Sequence, residues 1–248
     1  LSNLKISLIT VSYNAESTIS RCIESVIRQN FKNIEYIIVD GGSTDQTAEI
    51  VKRYSSHINL FISEADNGVY DGMNKGIRMA SGNIIGMLNA DDFFADDDVL
   101  SMIDNAFGQQ RAEIVYGDLD YIDSSGKTIR KWRSGKYSSN RFNYGWMPPH
   151  PTFYCKRSLF EKFGFYSLNY GTAADYELML RFMYLKRVNA YYLKKVMIKM
   201  NIGGMSNKNI GNRVKGLAFD FKAMRNNDIS LPLITLIFKP LRKVVQYF

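Results

Sequence analysis

The sequence predicts an α/β fold: a mostly parallel sheet with helices on both faces. Three observations carry this. Short β-rich runs alternate with segments of helical periodicity over about residues 4–90. The run at residues 34–39 is apolar almost throughout, as suits a strand covered on both faces. Polar clusters at residues 10–14, 40–45 and 89–92 follow the ends of three runs, where ligands gather in such sheets.

Taken in order, residues 4–11 form a first strand, broken by Ser12-Tyr13-Asn14. Residues 16–29 show the i, i+3, i+4, i+7 spacing of a helix. Cys22 lies there on one stripe with Ile19, Ile23, Val26 and Ile27, which makes it a small core residue. Residues 34–39 form the second strand, ended by Gly41-Gly42. Ser43 with Gln46 reads as a capping box for a helix to about Tyr54. Residues 58–62 give a third strand, residues 70–80 a helix stopped near Gly82, and residues 84–88 a fourth strand.

The second half is less regular. Residues 114–116 read as a strand, and residues 118–122 and 127–132 flank a hairpin turn, Asp123-Ser124-Ser125-Gly126. Met147-Pro148-Pro149-His150-Pro151 is a rigid, extended loop. Residues 175–186 and 209–226 are helical.

Length and composition bound the class. The chain has 248 residues, 46% hydrophobic and 13% aromatic, enough core to need no disulfide or metal staple. Two cysteines without a CxxC pair fit a reducing compartment, and no signal peptide is visible. The net charge of +8 is uneven: residues 1–185 carry −3 and residues 186–248 carry +11. A nucleic-acid reader would spread positive charge around its reading element, so no nucleic-acid partner is expected.

Asp91 and Asp92 are either the cap and first-turn acid of a helix or a pair of oxygen ligands for a hard cation, Mg²⁺ or Mn²⁺. Asp40 before two glycines is either a plain turn or an acceptor for ribose or base N–H. No Gly-x-Gly-x-x-Gly follows the first strand and no Gly-Lys-Ser/Thr is present, so a nucleotide must be held another way.

Four motifs in register carry a resemblance. They are Thr10-Val11-Ser12-Tyr13-Asn14, then Val39-Asp40-Gly41-Gly42-Ser43-Thr44-Asp45, then Asn67-Gly68-Val69-Tyr70-Asp71-Gly72-Met73-Asn74-Lys75-Gly76, then Leu88-Asn89-Ala90-Asp91-Asp92. Together they resemble the family-two inverting glycosyltransferases, of the GT-A fold, which use nucleotide-sugar donors. The likeness extends more loosely through Met147-Pro148-Pro149-His150 and Asp175-Tyr176-Glu177 to Gly203-Gly204-Met205-Ser206. The Asn67 to Gly76 motif looks most like members that build exopolysaccharide, colanic-acid-type or lipopolysaccharide chains.

The resemblance implies roles. Tyr13 would stack on the uracil of a UDP-sugar near the Thr10 and Ser12 backbone, and Asp40 would bind the base. Asn14, Glu16, Ser43, Asp45, Asp66, Asp71 and Lys75 would line the donor side. Asp91 would contact ribose or metal, and Asp92 would be the principal ligand of Mg²⁺ or Mn²⁺. Asn89 stands where the family often has Asp. Asp175 would be the general base, although a helix N-cap fits that position too. The acid that usually precedes the base is Ala174 here. His150, Trp146, Tyr176 and Glu177 would lie toward the acceptor, Trp146 as a sugar-stacking platform or as simple lid packing.

Residues 1–206 thus read as a GT-A catalytic domain and residues 207–248 as a basic, helical extension. The apolar run before Lys239 is too short to span a bilayer. Its mixture with Lys239, Arg242 and Lys243 suits an anionic membrane interface, or packing on the body or in a homodimer. The expected enzyme is cytoplasmic and peripheral on the inner face of the cell membrane, acting on a glycan or polyprenyl-linked acceptor. A sugar-nucleotide pyrophosphorylase would want a Gly-rich basic loop after the first strand, where Ser12-Tyr13-Asn14-Ala15-Glu16 stands instead. The other alternative is a catalytically silent sugar-binding subunit.

Overall fold

The computed structural model describes residues 4–201 and 210–247. The 203–206 stretch and the expected boundary at 206/207 lie outside them.

Four parallel strands form one half of the sheet: β1 (Ile6–Ser12), β2 (Ile34–Asp40), β3 (Leu60–Ser63) and β4 (Ile84–Asn89), in the order β3-β2-β1-β4. Every residue of β1 is buried. Its side chains alternate between two cores, Ile9 and Val11 into one and Ile6 and Leu8 into the other, so both sheet faces are covered. The connecting helices are α1 (Ile19–Ile27), α2 (Thr47–Arg53) and α3 (Val69–Met79). Cys22 is fully buried on α1, in the same core as Ile19, Ile23 and Val26.

Beyond β4 the sheet becomes mixed. β8 (Tyr154–Lys156) runs antiparallel to β4 and to β6 (Ile114–Ile122). β6 carries both runs separated in the sequence reading, and pairs with β7 (Thr128–Trp132) in the expected hairpin. The far edge is β9 (Ala190–Asn201), parallel to β6, and the short β5 (Asp92–Phe94), antiparallel to β9.

Several elements differ from expectation. α4 (Val99–Gln110), α5 (Arg157–Phe163), β8 and β9 were not anticipated. The predicted 175–186 helix is α6 (Ala174–Met179) followed by π-helical turns over Leu180–Leu185. The Ser43/Gln46 capping box does not form. Ser43 Oγ bonds Asp40, and the first N–H of α2, on Thr47, goes to Asp45 Oδ1 at 3.0 Å.

α7 (Ile210–Asn226) and α8 (Pro232–Val244) pack on this body. Ala223 and Met224 of α7 are fully buried in the core that also holds Tyr176 and Phe182. Thr235 of α8 is buried and donates its hydroxyl to Asn143 O at 2.6 Å. Gly145, at φ +70°, lets the α8 backbone approach: a Cβ there would lie 2.5 Å from Lys239 N.

Candidate active site

Strand register builds the site. Ser12 pairs with Asp40, and Asp40 with Ser63, at the carboxyl ends of β1, β2 and β3. The Asp40 carboxylate is fully buried and accepts four hydrogen bonds. Oδ1 takes Ser12 Oγ at 3.0 Å and Ser43 Oγ at 2.5 Å; Oδ2 takes Ser43 N at 2.9 Å and Ser63 Oγ at 2.8 Å. Its lone pairs are thus committed to the protein, and a base N–H would have to displace one donor. Ser63 was missed in the sequence because it ends a short strand without a motif.

The two loops beside this hub are stitched together. Asn14, in the left-handed region at φ 47°, receives Thr44 N on Oδ1 and gives its own N–H to Ser43 Oγ. Glu16 accepts Gln46 N at 3.0 Å, and Asp45 accepts Glu16 N at 3.2 Å. Asn14, Glu16, Ser43 and Asp45 therefore hold loop to loop beside the Asp40 hub. Tyr13 stands free between them, 57% exposed, with its ring available for stacking. The Thr10 side chain points inward, within 3.1 Å of Tyr36 OH and beside Cys22, so only its backbone can serve the site. Burial pushes the Cys22 thiol up to about 12, which leaves it inert.

Asp66 is tucked between two glycines: a Cβ on Gly41 or Gly72 would meet its Oδ2 at 2.8 or 3.0 Å. Its Oδ1 accepts Gly68 N at the start of α3. Asp71 accepts Asn67 N at 3.0 Å, and Lys75 pairs with Glu64 at 2.9 Å.

Asp91 lies between β4 and β5, Asp92 is the first residue of β5, and α4 starts only at Val99, so they cap no helix. Asp92 is completely buried. Its Oδ2 accepts Asn89 Nδ2 at 3.0 Å, while Oδ1 has no partner among the described residues. Burial, and next the charge of Asp91, push the Asp92 carboxyl well above its ordinary range. Burial also raises Asp91, opposed by the guanidinium of Arg21. A buried carboxylate oxygen with no donor is costly unless a ligand fills the gap. The arrangement fits a hard divalent cation, for which two carboxylates suffice when phosphate and water complete the shell. Among the described residues no larger cluster of His, Cys, Asp or Glu offers an alternative metal site.

Asp175 occupies the first turn of α6 behind Ala174, with Oδ1 accepting Tyr176 N at 2.7 Å. It is not the N-cap, which is Ala173. Around it stand Tyr70, His150 and Tyr166, whose protonation it influences. His150 is buried and bonds Tyr166 OH through Nε2 at 2.8 Å; burial holds it below the usual histidine range, so it is neutral. Tyr70 falls within the Asn67 to Gly76 motif but was given no role there, and Tyr166 carried no sequence signal beyond its aromatic neighbourhood.

Two acceptor-side expectations are corrected. Glu177 is buried and held at both oxygens by Arg181, at 2.9 and 3.0 Å, while Arg181 also reaches three backbone carbonyls at residues 163–165. That carboxylate is structural, because a committed buried ion pair offers nothing to a sugar. Trp146 is only 2% exposed, gives its indole N–H to Ser134 O at 2.8 Å and packs edge-on against Phe142. It is a core residue rather than an open platform. Tyr176 is buried beneath Lys239, whose Nζ lies 3.6 Å from the ring centre.

The sheet, with acids and an exposed aromatic at its parallel-strand ends, has the GT-A fold. The chain belongs to Glycosyl transferase family 2, whose profile matches residues 7–170. It is 29% identical over 206 residues to a PGL/p-HBAD biosynthesis glycosyltransferase of Mycobacterium bovis, covering 81% of this chain and 78% of that one. It is 31% identical over 192 residues to an uncharacterised glycosyltransferase of Mycobacterium tuberculosis, covering 71% and 68%. Among solved structures, TarS of S. aureus superposes with a TM-score of 0.71 at 19% identity over 92% of this chain. The chain spans 40% of the TarS chain. A mannosyltransferase from Pyrobaculum calidifontis, solved with GDP-Man and Mn²⁺, gives 0.69 at 17% identity, covering 96% and 73%.

Proposed function

We propose that this glycosyltransferase moves a sugar from a UDP-sugar to a hydroxyl of a glycan or lipid-linked acceptor, with inversion, by single displacement. The observation that carries this is the buried Asp92 with its unpartnered Oδ1 beside Asp91. It marks a place prepared for positive charge at the strand ends. Asp175, in different surroundings, supports a base on the acceptor side. Neighbouring folds solved with UDP-GlcNAc and with GDP-Man support the donor class.

In this reading the acceptor hydroxyl oxygen attacks the anomeric carbon and its proton passes to Asp175. The bond from that carbon to the donor diphosphate breaks, and UDP departs. Mg²⁺ or Mn²⁺, when bound, would be held by Asp91 and Asp92 and would supply positive charge for the leaving diphosphate. Tyr13 stacks on the base and the Asp40 hub keeps the floor beneath it rigid.

Among the described residues no helix is long and apolar enough to cross a membrane. α8 nevertheless exposes Leu233, Ile237, Leu241 and Val244 along one side, which supports attachment to a bilayer surface. Replacing Leu233, Ile237 and Leu241 with Ser should abolish sedimentation with anionic vesicles; undiminished sedimentation would refute the attachment.

The deciding experiment is donor hydrolysis across UDP-, GDP- and dTDP-sugars with Mn²⁺ or Mg²⁺, beside UDP binding to wild type and Asp92→Asn. Hydrolysis of a UDP-sugar that a chelator stops, with metal-dependent UDP binding lost in the variant, is the expected result. Metal-independent turnover, or an unaffected variant, would overturn the assignment of Asp92.

A further inference from the structure

A cavity of about 430 Å³ lies outside the donor region, between β7, the loop at residues 145–147 and the inner side of α8. Its walls are unusually cationic. Lys131 and Arg133 come from the β7 side, and Lys239, Arg242 and Lys243 from α8. Two of these cations are compensated: Arg133 by Asp118 and Asp120, and Lys239 by Asp220. Lys131, Arg242 and Lys243 form no ion pair among the described residues. Among the described residues, no acidic side chain lines the cavity. Burial, then Lys239 and Arg130, push the Lys243 ammonium down, partly offset by Asp220 and Asp175.

Position adds chemistry. Asp175 is among the charges that act on Lys243. Arg130 bonds Gln246 of the cavity wall at 2.7 Å and lies over the Tyr121 ring at 4.4 Å. α8 has two faces: Lys239, Arg242 and Lys243 turn into the cavity, joined by Gln246 of the turn that follows, while its apolar side faces outward.

We propose that this cavity binds the phosphate or diphosphate group of the acceptor, as an anion site separate from the one that serves the donor. The proposal deepens the reading of the chain as a sugar transferase, since it names the acceptor as a phosphate ester. Guanidinium and ammonium groups on two walls match a multiply charged oxyanion, which accepts several charge-assisted hydrogen bonds at once. A neutral glycan would leave those cations uncompensated.

The protein carries its own probe. Its two tryptophans, Trp132 and Trp146, both line this cavity. The full chain is titrated with inorganic pyrophosphate in excess chelator while tryptophan emission is followed. Without metal, the donor region lacks the cation that would draw a diphosphate; Asp91 and Asp92 repel it, and Lys75 there is paired with Glu64. The expected result is a saturable emission change in wild type. Its dissociation constant should rise about tenfold or more in Arg242→Gln/Lys243→Gln, and also in Lys131→Gln on the opposite wall. Two variants on different elements guard against misfolding in one, and retained UDP binding with Mn²⁺ confirms each fold. No saturable change in wild type, or unchanged affinity in both folded variants, would overturn the proposal.

Competition by neutral phosphatidylcholine vesicles carrying a polyprenyl diphosphate then identifies the source. Displacement of pyrophosphate assigns the site to a lipid-borne headgroup; binding without displacement assigns it to a soluble phosphorylated acceptor. Both support the site. A chain that hydrolyses a UDP-sugar but fails the titration removes this cavity alone. One that binds pyrophosphate here but hydrolyses no nucleotide sugar removes the transferase chemistry instead.

Discussion

Replacing Asp175 with Asn separates chemistry from folding more cleanly than any other single change here. The amide keeps an oxygen to accept the Tyr176 N–H, now held at 2.7 Å by Oδ1. What is lost is one negative charge in the first turn of α6, worth about 0.3–1 kcal/mol against the helix dipole. For a chain of this size, 1 kcal/mol corresponds to about 2–4 °C, so the Tm should fall by less than about 4 °C. The catalytic loss is far larger. Removing a general base costs about 10²–10⁴ in rate, or roughly 3–5 kcal/mol at about 1.4 kcal/mol per decade. The assay is sugar transfer under saturating donor, with UDP affinity and thermal unfolding measured on the same preparations. Asp175→Ala serves as a control, losing the acceptor oxygen as well and about 1 kcal/mol more stability. Wild-type transfer by Asp175→Asn would refute the assignment. So would a parallel loss of UDP binding, which would place Asp175 on the donor side.

Other expectations concern the scaffold. Glu177→Gln breaks a buried ion pair and should cost about 3–5 kcal/mol in denaturant unfolding, with little change in acceptor KM for the folded enzyme. Gly86→Ala would drive a Cβ to 2.0 Å from the Tyr154 ring, and overpacking of about 1–3 kcal/mol or more should appear as a lowered Tm. Glu35 gives a pH signature. Burial opposes its charge, yet bonds from Ser7, Ser81 and Lys5 hold its carboxyl down at about 2, against an ordinary 4.5. Its stabilisation is therefore complete above pH 4.5 and is lost as pH falls from there toward 2. Allowing for solvent screening, wild type should exceed Glu35→Gln by on the order of 1 kcal/mol at pH 7, and the gap should narrow in urea titrations toward pH 3. A gap that widened on acidification would contradict this.

The parallel half of the molecule was legible because each strand is a short apolar run followed by polar residues. Register alone then brings Ser12 and Asp40 together. Side-chain direction was not legible. Ser43 looked like a cap by spacing, but a buried carboxylate three residues away is the stronger partner for its hydroxyl. Glu177 looked available until Arg181, one turn on, was seen to claim both oxygens. β9 escaped notice because its alternation is broken. Its register with β6 shifts around Asp118, and Met197 and Ile198 are buried in succession. α4 was obscured by Asp104, Asn105 and Gly108, residues that weaken a helical pattern.

The seat of Asp66 has a consequence for how this sequence can vary. One carboxylate oxygen fills the space that side chains on both Gly41 and Gly72 would need. Those two glycines are thus not independent of residue 66. Shortening Asp66 to Ala should lessen the penalty of Gly41→Ala, a coupling that a double-mutant cycle would read as a combined cost smaller than the sum of the two single costs. The loop after β2 and the first turn of α3 are therefore bound to drift together, and the acid between them sets the order in which substitutions become permissible.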